Sequence, residues 1–294
     1  MMRLNEIGQQ LRAYRLESGM RAEEIAARLG VSRAALYRYE KGEVIKLDTV
    51  QRLAELLKIS PLSLLGIGVE YYSRTIGFFE RMRQLEETAD QVLQVGEPLA
   101  YLVTSDDYDA LLAQVFAETA EQSGADAPTT RALSEQVLGI MAARKRAYQL
   151  RRPNLITMIA EPVLQRFLEQ GVAESMRVSP TLRAHCRRVA SAEVQNIAAM
   201  LETEPMGLQF SLIPGAEPTT TCTLLRQRDR AALAINPFRS DASCVNANGV
   251  ALVTSAPEAV SSHQRVAEAM WRDSLKGAAA ARRVRELLAA HAVQ

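Results

Sequence analysis

The sequence predicts a chain in three parts: an all-α N-terminal domain of five short helices (1–66), a helical middle segment (67–152), and a C-terminal α+β or α/β domain (153–294) with a sheet of about five strands. Three observations lead to this fold class. Apolar residues recur at helical spacing, in short runs, through the N-terminal part. The middle segment continues that periodicity in longer runs. In the C-terminal part, β-rich or continuous apolar stretches alternate with helical patterns.

Glycine and cap residues mark the ends of the N-terminal helices. Gly19 ends the first apolar stripe and Gly30 ends the second. Ser32 is placed to cap a third helix, which Gly42 stops. After a fourth apolar run, the pair Ser60-Pro61 combines a cap residue with proline at the first helical position, which signals a fifth helix. This order of short helices indicates a compact bundle.

The middle segment is predicted as helices joined by one turn-rich loop. A long amphipathic helix is predicted over 71–95, and two further helices over 106–122 and 130–150. A short strand is predicted over 98–103. The basic run 144–152 is interpreted as a solvated helix face, with contact to an acidic effector as the alternative.

The C-terminal part alternates strands and helices. The predicted strands are 155–160, 207–213, 220–226, 231–236 and 249–255. The third and fourth strands are close in sequence, so we expect a hairpin. Helices are predicted to begin at Ser179-Pro180 and at Pro257, and a last helix covers about 278–290.

Composition limits the classes of protein to consider. A hydrophobic content of 48% with 23% charged residues is ordinary for a well-cored globular protein. No apolar run reaches the roughly 20 residues that span a bilayer. The N-terminal residues contain neither an apolar core segment nor a cleavage signal. We therefore expect a cytoplasmic protein with no membrane partner.

Charge is unevenly distributed along the chain. Residues 1–66 hold 11 Lys/Arg and 8 Asp/Glu, a net charge of +3, whereas the remaining residues have a net charge of −2. A small basic domain attached to a mildly acidic body suits a polyanionic partner for the N-terminal domain alone.

The stretch from Leu29 to Gly42 has the layout of a helix-turn-helix, whose second helix enters the major groove of DNA. Gly30 ends the first helix, Ser32 caps the second, and Leu36 points to the core. The outward face then carries residues suited to base edges, namely Arg33, Ala34, Tyr37 and Arg38. Residues predicted to contact phosphate are Arg21, Lys41 and Lys46, with Ser32 at the capped N-terminus. The alternative is a solvated charged helix face with no ligand.

Residues 4–65 resemble the Cro and lambda-repressor family of helix-turn-helix domains. The residues that carry this resemblance are Ile7, Leu11, Arg15, Gly19, Glu24, Ile25, Ala26, Leu29, Gly30, Val31, Ser32, Leu36, Tyr39, Glu40, Gly42, Leu53 and Leu57. The resemblance implies double-stranded DNA as a partner and a structural ion pair between Arg15 and Glu40. One departure is Arg21-Ala22, where the family often has Thr-Gln, so the glutamine that braces DNA is missing.

Residues 150–277 resemble a domain that follows such DNA-binding units in bacterial regulators and has been compared to phospholipase D-like folds. The resemblance implies a small-molecule effector or a protein partner. Phospholipase D chemistry needs a His-x-Lys pair, and the sequence His263-Gln-Arg lacks the lysine. Ser255 and Ser262 have no evident base partner, and no glycine-rich phosphate loop occurs. We therefore expect neither an enzyme nor a cofactor.

Candidate effector residues lie at predicted strand ends or on a helix that covers the sheet: Glu161, Thr254, Ser255 and Trp271. The three cysteines, Cys186, Cys222 and Cys244, are too sparse for a disulfide framework and are interpreted as small buried side chains. No metal site is expected.

The leading hypothesis is a bacterial-type, sequence-specific transcriptional regulator whose C-terminal domain senses a small molecule or partner. Such a regulator acts as a repressor or as an activator. One helix-turn-helix reads only a few base pairs, so a homodimer on two half-sites is expected. Two alternatives stay open. One is an antitoxin or phage-type repressor controlled by a protein partner without a small ligand. The other is a thiol or metal sensor.

Overall fold

The structure is a computed structural model that describes residues 4–173, 177–238 and 249–292. The N-terminal domain contains the five predicted helices, α1 (Leu4–Ser18), α2 (Ala22–Leu29), α3 (Arg33–Glu40), α4 (Leu47–Leu57) and α5 (Pro61–Leu64). The apolar stripes meet in one core, whose fully buried side chains are Leu11, Ile25, Leu36, Leu53 and Leu64. This part of the predicted fold class is confirmed.

The predicted long helix over 71–95 is wrong. The segment forms strand β1 (Val69–Tyr72), helix α6 (Thr75–Thr88) and strand β2 (Gln91–Val95). A side chain of α1 causes the first break, because the Glu17 carboxylate accepts the backbone N–H groups of Ser73 (2.6 Å) and Arg74 (3.1 Å). These bonds hold the chain extended at Arg74, immediately before α6 begins at Thr75. Helical periodicity over the whole segment did not reveal this distant contact.

Helices α7 (Asp106–Gln122) and α8 (Ala127–Arg151) follow as predicted. The predicted strand over 98–103 is wrong, because Tyr101–Val103 forms a 3-10 turn instead. Its buried aromatic and apolar side chains pack into the main core rather than alternating across a sheet.

The C-terminal part begins with β3 (Asn154–Ala160), α9 (Glu161–Gln170) and α10 (Pro180–Thr203), the last capped by Ser179. It continues with a run of strands and ends with two helices: β4 (Leu208–Ile213), β5 (Cys222–Gln227), β6 (Arg230–Ile235), β7 (Ala251–Thr254), α11 (Pro257–Asp273) and α12 (Gly277–Ala292). The predicted hairpin is confirmed, since β5 and β6 pair antiparallel up to Gln227 and Arg230.

The sheet is mixed and has seven strands in the order β1-β7-β6-β5-β2-β3-β4. The five strands predicted in the C-terminal part are present as β3 to β7, and the sheet gains two further strands, β1 and β2, from the middle segment. Strand β2 pairs parallel with β3 and antiparallel with β5. The middle and C-terminal segments therefore share one sheet, and we call everything from β1 to α12 the body.

The two sheet faces are covered differently. Helix α11 lies on one face over a small apolar cluster that includes Val95, Met158 and Leu224. The other face belongs to a core that continues without interruption into the N-terminal domain. Tyr14 of α1 stacks on Tyr72 of β1, with ring centroids 5.4 Å apart. The N-terminal domain thus packs directly against the body.

A buried polar cluster lies at this contact between the N-terminal domain and the body. Glu70 of β1 accepts from Arg81 Nε and Nη2, both at 2.8 Å. Glu70 also accepts from Gln10 Nε2 (2.9 Å) and from the Tyr72 hydroxyl (2.6 Å). Because a buried carboxylate is tolerated only when it is paired and hydrogen-bonded, this cluster requires α1, β1 and α6 to keep one arrangement.

The basic run 144–152 is not a uniformly solvated face, which corrects the sequence interpretation. Arg144 is buried and forms a bidentate pair with Glu86, with both distances 2.8 Å. Lys145 is also buried and contacts Asp109 at 2.7 Å. Their partners lie far away in sequence, so no local pattern in the run indicated that these two side chains are buried.

Candidate nucleic-acid interface

The turn between α2 and α3 depends on glycine. Gly30 has a φ of +70°, a left-handed conformation that other residues adopt at a cost. Its N–H donates to Ala27 O at 3.1 Å, which closes the end of α2. Two residues later, Ser32 Oγ accepts the N–H of Ala35 at 3.1 Å. The chain therefore leaves one helix and starts the next within three residues.

Helix α3 is held rigidly on its inner side. Leu36 is fully buried. Arg15 Nε and Nη2 donate to the two carboxylate oxygens of Glu40 at 2.5 and 3.1 Å, which is the pair that the family resemblance implies. A Cβ at Gly8 would lie about 2.5 Å from the carbonyl oxygen of Tyr39, so α1 and α3 approach as closely as they do only because residue 8 is glycine. These contacts fix the orientation of the opposite face of α3.

The outer side of α3 presents the side chains predicted to meet base edges. Ser32, Arg33, Ala34 and Arg38 are exposed, whereas Tyr37 is half-buried. The Arg33 guanidinium lies 5.3 Å from the centre of the Tyr37 ring, and Nη2 is 3.2 Å from the hydroxyl. Tyr37 therefore supports Arg33 in addition to presenting its own hydroxyl.

Two glutamates that sequence reasoning missed hold the arginines of this surface. Glu23 Oε1 lies 2.7 Å from Arg33 Nη1, and Glu43 Oε2 lies 3.0 Å from Arg38 Nε. All four side chains are more than half exposed. Exposed pairs of this kind contribute about 0–1 kcal/mol, so each arginine can exchange its glutamate for an acceptor on DNA. The Glu43 pair spans five residues and had a local signal, since Gly42 turns the chain back toward Arg38.

The predicted phosphate contacts lie at exposed positions around α3. Arg21 and Lys46 are the N-cap residues of α2 and α4, and neither helix start has a side-chain cap bond. Free N–H groups at a helix start attract anions, and a basic cap residue adds to this attraction. Lys41 lies exposed at the other end of α3. Acidic residues in the first turns of α2 and α4, such as Asp48, weaken the attraction in part.

This geometry agrees with a family comparison. Residues 11–64 match the model of a family described as Helix-turn-helix. The N-terminal domain therefore has a helix-turn-helix fold. This match covers only the N-terminal part of the chain.

Other comparisons concern the whole chain. No curated protein sequence matches it. One similar solved structure is that of TrmBL2, an archaeal chromatin protein described as showing a novel mode of DNA binding. The two chains share 8% identity with a TM-score of 0.34, over 78% of this chain and 62% of that one. This chain thus spans less than two thirds of the length of TrmBL2.

We expect Glu43→Gln to raise the affinity of the helix-turn-helix domain for DNA of any sequence by roughly two- to fivefold, because it removes a negative charge beside Arg38 and the phosphates. Fluorescence anisotropy of the full chain with a random duplex at two salt concentrations measures the effect. Glu55→Gln is the matched control, since Glu55 is an exposed glutamate of α4 bonded to Gln51. A loss of affinity in the Glu43 variant would instead show that this carboxylate itself contacts a base.

The predicted effector residues do not gather at one place. Glu161 follows β3 and is buried beside Arg283 of α12. Thr254 ends β7, where its Oγ1 donates to Gly68 O at 3.2 Å. Because β3 and β7 run in opposite directions, Glu161 and Thr254 lie toward opposite ends of the sheet. Ser255 is exposed, and Trp271 packs on the α11 side with Lys276 Nζ 5.1 Å from its ring centre.

The cysteine side chains bear on the thiol and metal alternatives. Cys186 and Cys222 are buried, and Cys244 lies outside the described residues. Burial raises the pKa of the Cys222 thiol to about 11, which keeps it protonated at neutral pH. Across 4–173, 177–238 and 249–292, no group of three or more His, Cys, Asp or Glu side chains is placed to hold a metal ion. In the same ranges, no helix is long and apolar enough to cross a membrane.

We expect Cys186 and Cys222 to resist iodoacetamide at pH 8 in the native chain, because alkylation requires an accessible thiolate and both side chains are buried. The raised pKa of Cys222 also leaves very little of that thiol deprotonated. Peptide mass spectrometry after timed alkylation measures this resistance. The same reaction in urea is the control and should modify both residues. Rapid labelling of either residue in the native chain would favour the thiol-sensor alternative.

Proposed function

We propose that this chain is a sequence-specific DNA-binding transcriptional regulator that acts as a homodimer and whose body senses a small molecule or partner. One observation carries the DNA-binding proposal. The outer face of α3 presents Arg33 and Arg38 in weak, exchangeable ion pairs, while Arg15–Glu40 and Leu36 brace its inner face. A rigid helix with arginines free to leave their partners suits base readout in the major groove.

The contact between α1 and the body supports regulation by the body. Arg12 of α1 lies 2.9 Å from the fully buried carboxylate of Glu80 on α6. Glu17 of α1 accepts the backbone N–H groups of Ser73 and Arg74, the two residues that precede the same helix. Because α1 also carries Arg15, which braces α3, a change in the packing of α6 would reach the DNA-binding helix through one rigid element.

Selection of binding sites from random duplex DNA by the full chain tests this proposal. We expect a palindromic site with half-sites about 10–10.5 base pairs apart, since each unit reads only a few base pairs. Analytical ultracentrifugation with the selected duplex should give two chains per duplex. Enrichment of a single, non-palindromic half-site would contradict the homodimer. The absence of any enriched site would contradict sequence-specific binding.

A further inference from the structure

A cavity of about 350 Å³ opens at one end of the sheet. Its floor is formed where β2 ends before Gly96, β6 ends before Asn236, and β5 begins after Thr221. None of the four effector residues predicted from the sequence lines it. Its volume falls in the range of small-molecule sites, which are concave and mostly apolar with a few fixed polar groups.

Apolar and aromatic side chains form much of the wall. Leu99, Tyr101 and Tyr108 line one side, and Phe167 of α9 and Phe238 after β6 line the others. Each of these five side chains is at least nine-tenths buried. They offer a preformed apolar surface to one face of a ligand.

The polar groups of the cavity are held in place by one another. Asn236 Nδ2 donates to Glu97 Oε1 at 3.1 Å, and Asn236 Oδ1 accepts from Phe238 N at 2.9 Å. At the mouth, Arg166 and Glu217 form a bidentate pair with distances of 2.7 and 3.0 Å. Arg166 and Glu217 therefore neutralise each other, and the Glu97 carboxylate already accepts a hydrogen bond from the Asn236 amide. A charged ligand would have to displace one of these partners, whereas an uncharged ligand that forms hydrogen bonds would not.

The cavity is connected to the helix-turn-helix domain by a row of packed aromatic rings. Phe238 packs edge-on against Phe78 of α6, with centroids 5.7 Å apart. Phe78 lies 6.4 Å from Tyr72, which stacks on Tyr14 of α1 at 5.4 Å. Contacts of this kind carry coupling only when a ligand favours one arrangement of the packed elements over another.

We propose that this cavity binds an uncharged small organic molecule with one apolar face and hydrogen-bonding groups, and that occupancy is transmitted to α1 through Phe238, Phe78, Tyr72 and Tyr14. This rests on the proposed function, because it assigns the effector site and the ligand class of that regulator. The ligand seats its apolar face against Phe167 and Phe238. Its polar groups reach the threonines that precede β5.

Calorimetric titration of the full chain with three probes of one shape tests the ligand class. The probes are benzamide (neutral), benzoate (anionic) and benzylamine (cationic). We expect saturable benzamide binding with a Kd on the order of 1 mM, as suits a small probe, and binding at least about tenfold weaker for both ions. No saturable benzamide binding, or equal binding of either ion, would overturn the proposal.

Variants that fill the cavity locate the binding site. Val163→Trp and Thr220→Trp each place an indole at the lining and should abolish benzamide binding. Val266→Trp, on the exposed side of α11, is the matched control and should leave binding unchanged. Two filling variants are used so that poor folding of one does not remove the test. Retained binding in both folded variants would overturn the assignment of the site.

Hydrogen exchange of the α1 amides, with and without saturating benzamide, tests transmission. We expect occupancy to change protection in α1 of the unmodified chain and of Tyr14→Phe, which keeps the ring. In Phe78→Leu the change should disappear although benzamide still binds. No change in the unmodified chain at saturation would overturn the aromatic route. None of these three experiments uses DNA, so a failure here is distinguishable from a failure of the DNA-binding proposal, which the site selection reports.

Discussion

Replacing both Arg33 and Arg38 by alanine is expected to weaken binding to the selected DNA site by roughly 2–6 kcal/mol, or about 30-fold to more than 10⁴-fold. Each arginine is expected to contribute about 1–3 kcal/mol when it donates to a guanine in bidentate geometry. Breaking the ion pairs with Glu23 and Glu43 reduces this contribution to DNA affinity only slightly, because both pairs are exposed. Each single variant should also relax sequence preference at one position of the site.

Fluorescence anisotropy with the selected duplex and with a mutated duplex, at two salt concentrations, measures the loss. Arg131→Ala is the matched control, because Arg131 is an exposed arginine of α8 that lies 3.6 Å from Glu121. Lys46→Ala provides a contrast, since loss of a phosphate contact weakens binding to all sequences alike and lowers the salt dependence by about one unit. Equal affinities of the double variant and the unmodified chain would contradict the assignment of α3 as the recognition helix.

Replacing Arg81 by methionine is expected to lower the free energy of unfolding by about 3–5 kcal/mol, because it leaves the buried carboxylate of Glu70 without its cation. The arginine and glutamate side chains are only 11% and 7% exposed, so water does not replace the lost partner. Since Glu70 also accepts a hydrogen bond from Gln10 of α1, we expect the N-terminal domain to lose its fixed position as well.

Urea unfolding of the full chain measures this change through the shift of the midpoint at constant slope. The double variant Glu70→Leu/Arg81→Met should recover part of the loss, because it removes the unpaired charge but leaves the Gln10 amide and the Tyr72 hydroxyl without their acceptor. Arg131→Met, which removes an exposed pair, should cost less than about 1 kcal/mol. A cost below about 1 kcal/mol for Arg81→Met would show that water or another group replaces Arg81 as the partner of the Glu70 carboxylate.

Features that depend on neighbouring residues were predictable. The turn at Gly30 and the cap at Ser32 each act on backbone groups within a few residues, and both are present in the structure. Helices α7, α8 and α10 and the β5–β6 hairpin follow from equally local signals. The inner pair Arg15–Glu40 spans 25 residues, and it was anticipated only through the family resemblance.

Features that depend on distant partners were not predictable. The segment 71–95 has helical periodicity, but Glu17 of α1 interrupts it from 56 residues away. Strand β2 pairs with β5 so that Gln91 lies opposite Arg226 and Val95 lies opposite Cys222. No local sequence pattern predicts this register. The cavity brings together residues between Gly96 and Phe238 that have no common motif.

By itself, the sequence determined the helix-turn-helix fold and which side chains lie on the exposed outer face of α3, because helix caps, turn glycines and helical spacing act over a few residues and retain their meaning in any surroundings. Only the tertiary structure decided which charges are buried, which segments join the sheet, where the cavity opens, and how α3 is connected through α1 to the body. These outcomes depend on long-range packing, in which a buried charge or strand is stable only when its partner from elsewhere in the chain is present.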